Sequence, residues 1–513
     1  MRILKAKKSI RICNILSCIV LVVLALAEGQ LLWKIRKLNM LPNSYFLALV
    51  GILLLITALL CLLLFRKRRG RWQKQPGFGK QILGYVLSAA VILGCFAAGN
   101  VVGRVQGTID AITAPEKINV ILEVYVRAED EARYIQDTAR YTFAISEDVP
   151  TEDAEKLLAE LETLVGNPVE TASYPNTIAA LDALLSGEAD AAVLNSAYLD
   201  VLEDVEGYEN ARDKLKILHE LVIEKEVPLQ TKPADEEQKQ NAASHVTDGP
   251  FLIYISGNDA RRALLADGCS DVNILLLVNP KTHQILLINT PRDYYVVNPA
   301  SGNTSRDKLS HCGLRGIDNC VQAVSGLYGQ EIDYYARINF SGFRTLVDAI
   351  GGVTVYSDIA FPAGDYYIQV GENYLNGEQA LRFARERKNL AGGDNDRGKN
   401  QMKLISAMVR QLSVGNLISN YAEILESLEG MFSTNFPAEE IGRLVQLQLT
   451  EKPQWEVLTF AVTGDNGNDF CWAVGGYGYV MYPHQHMVDH ASALMERFLN
   501  GEVLTKDDLI PEA

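Results

Sequence analysis

Three apolar runs near the N-terminus constrain this chain more than any other feature. Ile12 to Leu32 is broken by Asn14 and Glu28, while Tyr45 to Phe65 and Ile82 to Val102 carry no charge. Each has about the 20 residues that a helix needs to cross ~30 Å of hydrocarbon. A cleaved signal peptide would be a single shorter run with a small-residue cleavage site. The predicted anchor is therefore residues 1–103, with spans at about 12–32, 45–65 and 82–102.

Basic residues orient these spans. Arg66-Lys67-Arg68-Arg69-Gly70-Arg71, Lys74 and Lys80 lie between the second and third runs, and Arg2, Lys5, Lys7, Lys8 and Arg11 precede the first. The 33–44 loop holds only Lys34, Arg36 and Lys37. The positive-inside rule predicts a multi-pass cell-membrane protein with its N-terminus and the 66–81 loop in the cytoplasm. Three crossings then leave everything after residue 103 outside the cell. Read alone, the same basic run could be a nucleic-acid or localisation patch, a weaker reading beside membrane spans.

The net charge of −15 hides an asymmetry. Residues 1–103 carry 15 Lys/Arg and one acid, leaving 33 Lys/Arg against 62 acids beyond them. Nucleic-acid binding draws on a basic surface, so no nucleic-acid partner is expected. A local basic cluster can still hold a phosphate. Cys13, Cys18, Cys61 and Cys95 fall in the spans, and Cys269, Cys312, Cys320 and Cys471 fall outside. An even number in an oxidising compartment permits two disulfides, and free buried thiols are the competing reading.

Two globular regions are predicted beyond the anchor. Residues 115–230 alternate strand and helix signals. Tyr141 to Ile145 is strand-like, Thr151 precedes an acidic first turn and apolar Leu157, Leu158, Leu161 and Leu164 at helical spacing, and Thr177 to Leu185 leads through Gly187 to strand Ala191–Leu194. The pattern predicts a small α/β accessory domain with Thr151 as a helix cap. Residues 231–249 are polar and read as a linker. From 250 to about 500, dense Ile/Leu/Val strands (Phe251–Ser256, Val272–Val278, Gln284–Asn289) precede helical patterns near 317–328, 340–350, 377–387 and 397–412. This predicts an α/β or α+β sandwich around a central mixed sheet.

Charged residues cluster at the ends of those segments. Asp259 follows the first strand, Asp271 precedes the second, and Arg292-Asp293 follow the third. Helix 377–387 ends in Arg382, Arg385 and Arg387, and a glycine turn leads to Asp394, Arg397 and Gln401. Arginines pair two-pronged with phosphate oxygens. Two or three aspartates can hold a hard cation such as Mg²⁺ or Mn²⁺ that shares its remaining sites with phosphate. Together they suit a pyrophosphate and its departure as a leaving group. Surface salt bridges are the competing explanation for any one of these residues. His484, His486 and His490 read as surface histidines, and the chain lacks a P-loop, a GxSxG elbow and a dinucleotide fingerprint.

FLIYISGNDAR (251–261), SDVNILLLVNPKTHQILLINTPRDYYV (270–296), DKLSH (307–311), YYARINFSGFRTLVDAIGGVTVYSD (334–358) and GEQALRFARERKNLAGGDNDRGKNQ (377–401) stand in this order. They resemble the LytR–CpsA–Psr family of Gram-positive envelope enzymes. The resemblance covers about 250–500 and not 115–230. It implies a phosphotransferase that moves an anionic glycopolymer, such as teichoic acid or capsule polysaccharide, from a polyprenyl-pyrophosphate carrier to peptidoglycan. A phosphodiester link forms and polyprenyl phosphate leaves. By position, Asp259 and Asp271 look like Mg²⁺-associated carboxylates, and Arg292, Arg385, Arg387 and Arg397 like the pyrophosphate clamp. Asp293 and Asp394 look like orienting groups or a base, Gln401 like a supporting polar group, and Lys308 like a head-group contact. Membrane lipid is an expected partner.

Two positions depart from the family pattern. Cys269 and Asn400 stand where arginines are common. Cys269 could pair with Cys471, leaving Cys312 with Cys320. Three readings compete with transfer: a polyprenyl-pyrophosphate pyrophosphatase, a non-catalytic lipid- or glycan-binding scaffold, and a transcriptional attenuator.

Overall fold

The computed structural model describes residues 2–65, 79–114, 116–202, 205–227, 245–258, 268–412, 428 and 430–511. They fall into two compact units: 1–111 with 421–426 and 437–453, and 112–420 with 427–436 and 454–513.

The first unit holds helices α1 (Arg2–Leu38), α2 (Asn43–Leu64) and α3 (Gly79–Ile112), each long and apolar enough to cross a membrane. The first and third extend well past their apolar runs. The expected 33–44 loop shortens to a turn through Asn39, whose φ is 53°. Most of the basic 66–81 loop, residues 66–78, lies outside the described residues. Leu24, Leu60 and Leu64 pack between helices, as do Ala27, Leu31 and Cys95. Several polar groups on these faces find internal partners, the arrangement that an apolar solvent favours. The Glu28 carboxylate accepts from Thr57 Oγ1 at 2.8 and 3.0 Å. Ser17 and Gln81 both donate to the Leu64 carbonyl at 2.9 Å.

Among the described residues the second unit contains two large sheets and four two-stranded ones. The first is built from β1 (Glu116–Arg127), β2 (Thr142–Ser146), β3 (Glu170–Tyr174), β4 (Ala191–Asn195) and β5 (Leu215–Val227) in the order β3-β2-β4-β1-β5. β2 runs parallel to β3 and β4, and β1 antiparallel to β4 and β5. Helices α4 (Thr151–Val165), α5 (Thr177–Ser186) and α6 (Ser196–Leu202) join them. Thr151 is not the cap expected: Pro150 holds that position, so no side chain caps α4. The Asn176 side chain caps α5, accepting from Ala179 N at 2.8 Å.

The larger sheet is mixed, in the order β16-β11-β6-β7-β8-β17. Its centre is the antiparallel set β6 (Phe251–Asn258), β7 (Ser270–Asn279) and β8 (Gln284–Asn289). The pair β9 (Tyr295–Val297) and β10 (Arg306–Lys308) and helix α7 (Ile317–Tyr328) follow, then β11 (Tyr334–Asn339), parallel to β6. Next come α8 (Phe340–Ala349), the short strands β12 (Val353–Ser357), β13 (Phe361–Ala363), β14 (Tyr366–Ile368) and β15 (Gly371–Leu375), and helices α9 (Gly377–Arg385) and α10 (Asp394–Leu412). β16 (Phe432–Thr434) flanks β11, and β17 (Glu456–Ala461) lies parallel to β8. A hairpin of β18 (Gly464–Cys471) and β19 (Gly476–Pro483) and a last helix, Gln485–Leu499, complete it. Every residue of β8 is buried, which explains its apolar run Ile285 to Ile288. Leu252, Tyr254, Leu286 and Ile288 of the sheet pack against Ile317, Val324, Leu494 and Phe498.

The smaller sheet does not stand apart. Tyr125, Leu181, Leu184 and Leu194 share a core with Leu314, Val474 and Val480. Arg315 Nη2 meets Asp148 Oδ1 at 3.1 Å, and the same guanidinium lies 5.8 Å from the Tyr198 and Trp472 rings. The disulfide expectation is corrected: Cys269, Cys312, Cys320 and Cys471 are free thiols. Cys312 and Cys320 belong to the large apolar core, and Cys471 to the shared one.

Candidate functional site

The end of the sheet where β8 finishes and β7 begins gathers the charged residues. Asp271 stands at the start of β7, and Arg292 and Asp293 follow β8 after Pro291. α10 brings Asp394 and Arg397 to the same place. It can do so because residue 398 is glycine: a Cβ there would sit 2.0 Å from Asn289 Nδ2. Arg292 Nη1 donates to Asp271 Oδ1 at 2.7 Å, and its Nε lies 3.7 Å from Asp293 Oδ2. Arg397 Nη2 donates to the Asp271 carbonyl at 3.1 Å and lies 2.8 Å from Asp394 Oδ1. That second approach is an ion pair and not an aligned hydrogen bond, so Asp394 Oδ1 is buried without a donor. Lys308, almost fully buried, holds its Nζ 4.0 Å from Asp293 Oδ1.

Three carboxylates thus face three cations in a mostly dry pocket, and their protonation follows from that. Burial raises the Asp394 pKa; the Asp293 charge adds to this, and Arg397, Arg292 and Arg387 oppose it without cancelling it. For Arg292, burial alone would lower the pKa, but Asp271 and Asp293 outweigh it and hold the proton more tightly. Arg397 is shifted down, because burial and the Arg292 charge exceed what Asp394 returns. Arg387 acts on both Asp394 and Tyr479 and so stands beside this set.

Two expected members sit differently. Arg385, at the exposed end of α9, lays its guanidinium 4.7 Å from the Phe340 ring centroid. Gln401 donates from Nε2 to the Ala384 carbonyl at 3.3 Å, tying α10 to the end of α9. Asp259 lies outside the described residues. Of the two departures, Cys269 packs at the margin of the shared core, and Asn400 is buried with its Nδ2 lacking a partner. His484 pairs with Asp465 at 3.0 Å and His490 with the Asp508 carbonyl, so these two point to separate partners.

Residue-level reading of the sequence missed two contributors. Tyr479 on β19 lies two residues before Met481, whose N donates to the Asp293 carbonyl at 2.7 Å, and its hydroxyl pKa is raised by burial and then by the Asp293 and Asp394 charges. Asp307 is a buried hub whose carboxylate accepts from Lys308 N at 2.8 Å, His311 Nδ1 at 2.6 Å and Ala473 N at 2.6 Å. It fixes the segment that aims Lys308. His311 and Cys471 come near enough to Asp307 to suggest a metal trio, but hydrogen bonds already engage both Asp307 oxygens. Asp307 heads the DKLSH stretch and so had a local signal, whereas Tyr479, and the Ala473 contact of Asp307, come from chain distant in sequence.

A cation could draw on Asp271, which gives one oxygen to Arg292 and keeps the other. Mg²⁺ is commonly held by one or two carboxylates together with substrate phosphates and water, so this donor set fits it.

The profile of the LytR_cpsA_psr family matches residues 221–494. A polyisoprenyl-teichoic acid–peptidoglycan teichoic acid transferase TagU from Oceanobacillus iheyensis is 33% identical over 225 residues, covering 42% of this chain and 69% of that protein. The protein of the same name from Halalkalibacterium halodurans is 34% identical over 226 residues, covering 44% and 69%. The crystal structure of B. subtilis TagV aligns over 50% of this chain and 99% of its own, with 25% identity and a TM-score of 0.41. On the extent of the profile match and these identities, the chain belongs to the LytR_cpsA_psr family.

Proposed function

We propose that this protein transfers an anionic glycopolymer from a polyprenyl-pyrophosphate carrier to peptidoglycan, releasing polyprenyl phosphate. The observation that carries this reading is the buried cluster in which Arg292, Arg397 and Lys308 face Asp271, Asp293 and Asp394. An acceptor hydroxyl attacks the phosphorus nearer the glycopolymer. The new P–O bond completes a phosphodiester, the bridging P–O bond breaks, and the electron pair leaves on polyprenyl phosphate. Asp394, with its undonated oxygen and raised pKa, is the group suited to take the hydroxyl proton, and Asp293 orients Arg292 and Lys308.

Arg292 is engaged by Asp271 before substrate arrives. A pyrophosphate entering the clamp competes with that carboxylate, which would then be left buried and uncompensated. Mg²⁺ or Mn²⁺ held by Asp271 and Asp259 would neutralise the carboxylates and share the phosphate charge. Arg387, whose charge acts on Asp394, would reach outer phosphate oxygens, and Arg385 would have to leave the Phe340 ring to join it. The three apolar helices anchor the protein in the membrane lipid that holds the carrier, with the N-terminus cytoplasmic and the residues beyond α3 extracellular.

Purified full-length protein given a polyprenyl-pyrophosphate-linked glycopolymer, with and without peptidoglycan, tests the reading. Peptidoglycan-dependent release of polyprenyl phosphate, with polymer bound to the wall material, is the expected result. Equal release without peptidoglycan makes water the acceptor and the protein a pyrophosphatase.

A further inference from the structure

The β18–β19 hairpin is tied down on both sides of the cluster. Near its turn Gly478 bridges Val205, and the Tyr477 carbonyl accepts from Glu206 N at 3.3 Å. Further along, Met481 N donates to the Asp293 carbonyl at 2.7 Å. The accessory region and the segment carrying Arg292 therefore hold the same strand.

Directly paired residues of a hairpin project to one face. The register pairs Phe470 with Tyr477, Asn468 with Tyr479 and Asn466 with Met481, and Met481, buried in the large core, ends the exposed strip. The opposite face turns inward, where Val480 joins the shared core. The outward face leaves Phe470, Tyr477 and Tyr479 exposed by 39%, 60% and 41%. Phe470 and Tyr477 meet edge to face at 5.7 Å, and the Tyr479 hydroxyl donates to Asn466 Oδ1 at 2.8 Å. Three aromatic rings on one braced strip, with asparagines between them, go beyond the scattered apolar residues of an ordinary surface.

We propose that this face is the platform on which the acceptor glycan strand lies. Sugar C–H faces stack on Phe470, Tyr477 and Tyr479, and the amides of Asn466 and Asn468 bond hydroxyl or acetamido groups. Charge selects this occupant. Residues 464–483 hold no Lys or Arg, and their two acids, Asp465 and Asp469, pair with Tyr482 and Gly478 and so lie on the other face; the strip itself is uncharged, offers nothing that draws an anionic glycopolymer or an anionic lipid surface, and suits an uncharged amino-sugar backbone. Position agrees: Met481, two residues beyond Tyr479 on the same strand, donates to the Asp293 carbonyl at 2.7 Å, so the Tyr479 end of the strip leads toward the segment carrying Arg292 and Asp293. The platform rests on the transfer reading and assigns a place to its acceptor.

Sedimentation of the full-length protein in detergent with purified insoluble peptidoglycan reads the platform without turnover. The double variant Phe470→Ser/Tyr477→Ser, altered only at exposed rings, should lose about tenfold in binding, close to 1.4 kcal/mol. In the transfer assay its half-saturating acceptor concentration should rise by a similar factor, with that for the lipid-linked donor within about twofold. Tyr356→Ser/Tyr367→Ser, exposed rings elsewhere, serves as the control. A double variant that sediments and saturates like the parent overturns the platform and leaves transfer intact. If the parent itself does not transfer, the transfer reading falls and sedimentation still decides the platform. Added quenching of a Tyr477→Trp variant by brominated lipid in nanodiscs would place this face on the membrane and overturn the proposal.

Discussion

Replacing Arg292 with alanine separates a working clamp from a structural salt bridge. The guanidinium spans two carboxylates, at 2.7 Å to Asp271 and 3.7 Å to Asp293, with side-chain exposures of 16%, 14% and 4%. Removing one partner of a fully buried pair costs about 3–5 kcal/mol, and the small residual exposure trims this to about 2–4 kcal/mol. Repulsion between Asp271 and Asp293 makes part of that cost recoverable in the double variant Arg292→Ala/Asp271→Asn, measured by thermal melting. Catalysis behaves otherwise. The departing phosphate loses a donor aimed at developing charge, which costs about 10²–10³ in kcat. The Asp271→Asn partner does not restore it. Arg292→Lys should recover stability better than turnover, because one ammonium cannot span both carboxylates and a phosphate oxygen. Arg344→Ala, which breaks only an exposed 3.5 Å pair with Glu378, controls for lost positive charge. Turnover of Arg292→Ala within about threefold of the parent, in protein that is still folded at the assay temperature, would refute the clamp.

Four further outcomes follow from the same structure. Excess chelator should abolish turnover, and Mg²⁺ or Mn²⁺ should restore it; full turnover in metal-free protein removes the cation from Asp271. The acid limb of kcat/KM should lie above the ordinary carboxylate value of 3.8, since Asp394 must be ionised to accept a proton and burial raises its pKa. Because the Asp293 charge adds to that rise, Asp293→Asn should move the limb of the residual activity to lower pH, and an upward move contradicts the assignment. Burial pushes the Cys320 and Cys471 thiols up to about 12, so native alkylation at pH 8 should leave them unmodified until denaturant is added; disulfide-linked peptides in unreduced digests would contradict the free-thiol state. A reporter fused after residue 250 should be active only outside the cell, and cytoplasmic activity would reverse the orientation drawn from the basic loops.

The sequence by itself determined what depends on local pattern. Twenty-residue apolar runs must become spanning helices, because no other single segment satisfies its backbone in lipid. Dense Ile/Leu/Val strands such as β8 must be covered on both faces, and the ordered motifs between 251 and 401 identified the family and most of the charged cluster. What it could not supply were relations between distant segments. Arg385 and Arg397 look equivalent in the chain, but α9 ends with Arg385 over Phe340 while Gly398 lets α10 press Arg397 onto β7. The four cysteines permitted disulfides by number, and packing sent their thiols into apolar cores instead. The accessory region read as a separate module, yet its Leu181 and Leu194 complete a core with Val474 and Val480, because an apolar hairpin face can be buried only against another. Tyr479 and Asp307 enter the site through the same hairpin and its base, across more than a hundred residues of intervening chain that no local periodicity bridges.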